Sequence, residues 1–91
     1  PRLYRWNGTT LDVLIDTPLF RYGTNTTIRT PAGICVDAQG RIFITLSGIN
    51  GMRRFNPDGT LHSEIPLAGG LMKLGDNGRI YILSGKNVVE Y

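Results

Sequence analysis

The sequence predicts an all-β fold of β-propeller blades, four-stranded antiparallel sheets, with about two blades' worth of strands in the chain. Three observations carry this expectation. Short apolar runs separated by turn residues fill the stretch from Pro31 to Gly69. The 12 glycines fall largely where the backbone must reverse. The segment Gly70 to Tyr91 repeats the preceding unit at a spacing of roughly 37 residues. No window holds a sustained helical period of apolar residues, so little or no helix is expected.

Residues 1–16 read as the two outer strands, c and d, of a first blade. Leu3-Tyr4-Arg5-Trp6 is β-rich, Asn7-Gly8 is a favoured two-residue hairpin turn, and Leu11, Val13 and Ile15 alternate with other residues as a strand with one covered face. Residues 17–32 form an inter-blade loop. From Thr17 to Thr30 the chain carries Pro18, Gly23, Asn25 and several threonines without any strand-like alternation. A loop of that length in a small fold is usually functional or disordered.

Residues 33–69 make one complete four-stranded blade. Ile34-Cys35-Val36 is a continuous apolar run, expected of an innermost strand a that is covered on both faces. Asp37 to Gly40 is a tight turn in which Asp37 caps its own backbone, and Ile42 to Leu46 is strand b. The loop Ser47 to Gly51 leads into strand c, Met52 to Phe55. Asn56-Pro57-Asp58-Gly59 turns the chain again, because Pro presets φ and Gly closes the reversal. Leu61 to Ile65 alternates apolar and polar side chains, as an edge strand d with one wet face does.

Residues 70–91 supply the first three strands of the next blade. Gly33, Gly40, Arg41, Ile42, Ile44, Ser47, Gly48 and Asn50 recur as Gly70, Gly78, Arg79, Ile80, Ile82, Ser84, Gly85 and Asn87. Asp76 is expected to cap its turn as Asp37 does. Ile34, Val36, Ile42, Ile44, Leu71, Ile80 and Ile82 are expected to form the contact between the second and third units, since inner strands have only the neighbouring sheet to pack against.

The pattern P-x-G-I-x-V-D-x-x-G-x-I-F-I-T from Pro31 to Thr45, followed by R-R-F-x-P-D-G-T from Arg53 to Thr60, resembles blades of NHL-repeat propellers and of the related gluconolactonase/regucalcin propellers. The resemblance covers nearly the whole chain and implies a six-bladed ring. It also implies where ligands bind: over the central channel, on the face built by b-to-c loops and inter-blade connections. Here those are Ser47 to Gly51, Ser84 to Asn87, Thr17 to Ala32 and Pro66 to Gly69. Phe20, Arg21, Tyr22, Asn25, Arg29 and Asn50 are the candidate recognition residues.

On this basis the expected function is a scaffold or binding module, part of a larger or self-assembled propeller, that presents its loop face to a protein or small-molecule ligand. Its first partners would be further blades, from the same chain or from self-association, with a homotrimer giving six. The alternative is a piece of a metal-dependent sugar-lactone hydrolase or lyase. Gluconolactonase-like enzymes read P-D-G where this chain has Pro31-Ala32-Gly33, and Ala32 offers no oxygen to a cation. A divalent cation, Ca2+ or Zn2+, is therefore implied only under that alternative, and no catalytic or metal-ligating residue is assigned.

A net charge of +3 and a pI near 9.4 suit an acidic partner, and RNA is the third reading. The basic residues are spread along the chain, apart from Arg53-Arg54 and the Arg21/Arg29 loop. Aromatics beside bases, as in Tyr4-Arg5-Trp6 and Phe20-Arg21-Tyr22, could stack nucleobases but serve more often as core. Cys35 is the 1 cysteine and forms no internal disulfide; the middle of an apolar strand makes it a small core residue. Asn7-Gly8-Thr9 and Asn25-Thr26-Thr27 fit the N-glycosylation pattern, though turn chemistry alone accounts for both. No apolar run approaches the roughly 18 residues of a membrane-spanning helix. No basic-then-apolar leader opens the chain at Pro1, so its compartment stays unassigned.

Overall fold

Backbone hydrogen bonding sorts the apolar runs into three antiparallel sheets. The computed structural model describes residues 1–67 and 69–91. A two-stranded sheet pairs β1 (Leu3–Trp6) with β2 (Leu11–Ile15). A four-stranded meander follows in the order β3 (Pro31–Val36), β4 (Ile42–Leu46), β5 (Met52–Phe55) and β6 (Leu61–Ile65). A three-stranded sheet of β7 (Met72–Leu74), β8 (Ile80–Ser84) and β9 (Asn87–Glu90) completes the chain. Strand makes up 46% of the described residues and helix 3%, so the fold class is all-β. The helical part, among the described residues, is a single 3-10 turn at Thr17–Leu19.

The middle sheet is the hub because β4 is apolar on both faces. All five of its residues are buried, and alternation along a strand sends neighbours to opposite sides. Ile42, Ile44 and Leu46 pack with Ile15, Phe20 and Phe55 on the side of the first sheet. Cys35, Phe43 and Met52 pack with Ile80 and Ile82 on the side of the third. Two separate cores therefore flank one sheet.

This arrangement corrects the expected contact set. Ile80 and Ile82 do face the middle sheet, but Ile42 and Ile44 turn away from them, toward the first sheet. The apolar run Ile42-Phe43-Ile44 has no polar side to reveal which neighbour each parity faces. Leu71 is 67% exposed and belongs to neither core. The expectation that strand a is covered on both faces is corrected as well. Cys35 is buried, whereas Ile34 and Val36 are 44% and 49% exposed, although their register partners Ile44 and Ile42 are 1% and 3% exposed. Only two strands of the first sheet lie over the four of the middle one, and they leave the β3 end bare.

Several boundaries also shift. β3 begins at Pro31 rather than Ile34; a Pro at the first strand position removes no ladder donor. The first hairpin turns over four residues instead of two, because Asn7 Oδ1 accepts the N–H groups of both Thr9 and Thr10, each at 2.8 Å. The third sheet approaches the second so closely that a Cβ on Gly33 would strike the Gly70 carbonyl. Thr45 Oγ1 donates to that same carbonyl at 2.8 Å, joining the two sheets through a buried hydroxyl.

Asp37 caps the β3–β4 turn. Its Oδ1 accepts the Gln39 and Arg41 N–H groups at 3.0 and 2.8 Å, and its Oδ2 accepts from Arg41 Nε. Burial pushes this carboxyl up, yet the Arg41 side chain and the two N–H groups hold it below the usual aspartate value. The equivalent turn of the third sheet works differently from expectation. Gly75 stands in the place of Asp37, closing the same Gly75–Arg79 backbone pair, and it is Asn77, not Asp76, whose Oδ1 accepts the Arg79 N–H at 3.0 Å. Asp37→Ala is expected to cost about 1–3 kcal/mol, because it leaves the turn donors without the buried carboxylate that pairs them. A urea midpoint that does not fall would show that the Asp37 carboxylate contributes nothing to the turn.

Candidate functional site

The segment from Asp16 to Thr30 is tied down at both ends. Asp16 Oδ1 accepts the Thr17 N–H at 2.7 Å and caps the 3-10 turn, whose first residues include Pro18. Phe20 then drops into the first core at 2% exposure. The Arg29 N–H donates to the Phe20 carbonyl at 2.7 Å, so residues 21–28 bulge out as a loop with closed ends. The Ser47 N–H donates to the Thr30 carbonyl at 2.9 Å, joining this loop to the β4–β5 connection.

Two polar anchors shape the loop from inside. Arg53 is 3% exposed on β5 and lies opposite Glu64 of β6 in register. Its Nε and Nη2 donate to Glu64 Oε2 at 3.0 and 2.8 Å, and its Nη1 donates to the Leu19 carbonyl at 3.1 Å. The same Glu64 oxygen accepts the Gly23 N–H at 2.6 Å. Desolvation pushes the Glu64 carboxyl up, but the Gly23 N–H and the Arg53 guanidinium outweigh it and hold the group below its ordinary value. Farther along, the Asn25 N–H donates to the Tyr22 carbonyl at 3.3 Å, and Asn25 Oδ1 accepts the Thr27 N–H at 2.9 Å. The Tyr22 ring lies against Gly51, where any Cβ would collide with it.

The result is a shallow cleft of about 200 Å³ lined by Tyr22, Asn25, Thr27, Arg29, Ile49 and Asn50. Of the residues singled out from sequence, Tyr22, Asn25, Arg29 and Asn50 share this cleft. Phe20 does not: it is buried in the first core, where its ring fills the space between the sheets. Arg21 also lies outside the cleft, its Nη1 donating to the Gly23 carbonyl at 3.1 Å. No protein-family model, curated protein or solved structure matches the chain.

Thr27 and Ile49 were not among the sequence candidates, and nothing in their local pattern sets them apart. The Arg53–Glu64 pair was also missed, because a bulge sets its register. Counting outward from Phe55 opposite Leu61 sets Arg53 across from Ser63, next to Glu64, and the register shift between Arg54 and Phe55 moves it by one residue onto Glu64. The Ser84 to Asn87 turn lines no part of the cleft. The Pro66 to Gly69 connection includes residue 68, which lies outside the described residues. Among the described residues no three His, Cys, Asp or Glu side chains gather as a metal-ligand group. The cleft's own chemistry is that of a donor set: a guanidinium, two amides, a phenol and a hydroxyl, over the apolar wall of Ile49.

Proposed function

We propose that the chain is a propeller-type scaffold or binding module: three stacked sheets that belong to a larger or self-assembled ring and present the loop face around Tyr22 and Asn50 to a ligand. Two features of the stacking support a blade reading. The middle sheet is a simple four-stranded meander with its sequence-first strand at one edge, and that edge strand, β3, packs beside β7, the first strand of the next sheet. The observation that carries the reading is the bare side of β3. Ile34 and Val36 stand 44% and 49% exposed over an apolar groove that also takes in Leu3, Leu14 and Ile42.

On the opposite side of the same sheet, the inner pair β7–β8 covers Cys35 and Phe43. A ring neighbour would place two further strands over Ile34 and Val36 in the same manner. The outer sheets point the same way. Tyr4, Trp6, Leu11 and Val13 are 45–64% exposed on the first sheet, and Leu71, Leu83 and Val88 are 47–67% exposed on the third. Apolar sheet faces of this kind mark surfaces that expect a partner.

Sedimentation velocity of the isolated 91-residue chain tests this reading. Self-association, with a trimer as the closed form, or a broad non-cooperative melt is expected at micromolar concentration. A folded monomer with a cooperative melt would refute the ring.

A further inference from the structure

We propose that the cleft between the Tyr22–Arg29 loop and the Ile49–Asn50 loop receives a small oxyanion, the carboxylate or phosphate group of a small-molecule ligand, with Arg29 as its counter-charge. This rests on the reading of that loop face as the binding surface and adds the chemical class of what it takes.

Most of the chain's arginines are already engaged. Arg2, Arg41, Arg53 and Arg79 each pair with a carboxylate. Arg5 and Arg21 donate to the carbonyls of Pro57 and Gly23. Arg54 sits 6.0 Å from the Phe43 ring centroid, as a cation over an aromatic face. Among the described residues Arg29 and Arg54 have neither an acidic nor a hydrogen-bonding partner for the guanidinium, and of these two it is Arg29 that lacks an aromatic face as well; it is half-buried against Gly48 in the wall of the cleft. A cation held partly out of water without a partner is unfavourable, and a bound anion removes that cost.

The surrounding groups have matching polarity. Asn25 spends its Oδ1 on the Thr27 N–H, which leaves its Nδ2 to donate outward. Asn50 and the Thr27 and Tyr22 hydroxyls add further donors, and no carboxylate lines the cleft. Glu64 of β6, the carboxylate that anchors the loop, is already engaged by Arg53 and Gly23. A planar guanidinium fork fits the paired oxygens of a carboxylate or phosphate, whereas a neutral polyol leaves its charge unmatched. A cleft of about 200 Å³ has the space of roughly six or seven waters, enough for the anionic group with a few attached atoms. Tyr22 and Ile49 offer an apolar side to those atoms.

The test is an NMR titration of the full chain with sodium phosphate, with sodium acetate and, at matched ionic strength, with sodium chloride. The side-chain amides of Asn25 and Asn50 are followed. Saturable shifts with phosphate or acetate, absent with chloride, are expected, and the anion that acts tells which group is preferred. Arg29→Gln should weaken the binding about tenfold or more, and Arg29→Lys should keep part of it. Arg21→Gln, outside the cleft, should leave it unchanged. Asn50→Ala provides a second substitution, at an exposed position, should Arg29→Gln alter the fold. Shifts that chloride reproduces, or affinities indifferent to both Arg29→Gln and Asn50→Ala, would overturn the proposal. Binding by a chain that sediments as a cooperative monomer would keep this site while refuting the ring; self-association without anion binding would do the reverse.

Discussion

Replacing Ile44 by alanine is expected to destabilise the chain by about 2–5 kcal/mol, a large part of the roughly 5–15 kcal/mol that holds a domain together. Ile44 is 1% exposed at the centre of the first core, between Ile15, Phe20, Leu46 and Phe55. Truncation there removes buried methylene groups and leaves a cavity that β4, fixed on both edges by β3 and β5, cannot collapse to fill. The informative control is Ile34→Ala. Ile34 pairs with Ile44 in register, has the same side chain and lies on the same face, but it is 44% exposed. Its truncation should cost about 1 kcal/mol or less in the isolated chain. Guanidinium unfolding midpoints decide the matter: equal losses for the two variants would contradict the facing assigned to β3 and β4. Under conditions where the chain self-associates, the Ile34 effect should grow, because the groove over β3 is then filled.

The strands were legible because each carries its own local signal. Ile42 to Leu46, Met52 to Phe55 and Leu61 to Ile65 are bounded by turns with Gly, Asn, Asp or Pro, and the structure forms β4, β5 and β6 over those same residues. Facing was not legible. Ile42-Phe43-Ile44 offers two apolar faces, and only tertiary packing shows that Phe43 meets the third sheet while Ile42 and Ile44 meet the first. Sequence repetition also misled at one turn, where Gly75 takes the backbone place of Asp37 and Asn77 takes over the capping. In the loop, polarity and spacing brought out Tyr22, Asn25, Arg29 and Asn50, which come together in one cleft. They did not show that Phe20 leaves the surface, since an aromatic in a long polar stretch reads equally as a contact residue or as a plug. Arg53 and Arg54 are a basic pair in sequence, yet they sit on opposite faces of β5: one bonds Glu64, the other covers Phe43.

Glu64→Ala is expected to cost about 3 kcal/mol and to loosen the loop that carries the cleft. Glu64 Oε2 is shared by the Arg53 guanidinium and the Gly23 N–H. Without it, Arg53 stays at 3% exposure with the Leu19 carbonyl as its remaining oxygen partner, and a buried charge lacking its counter-ion is among the costliest defects a fold can carry. The double substitution Arg53→Met with Glu64→Leu should recover much of the loss, because it removes both charges together. Acid provides an independent measurement of the same pair. The Glu64 carboxyl is held below its ordinary value of 4.5 in the folded chain, so its contribution is fully present above that pH and is lost as pH falls through the lowered folded value. The stability gap between the native chain and Glu64→Ala should therefore stay constant from neutral pH down to about 4.5 and narrow below it. Urea unfolding at a series of pH values measures that gap directly. A gap that persists unchanged well into acid would mean that the Glu64 charge is not what holds Arg53 and Gly23 in place.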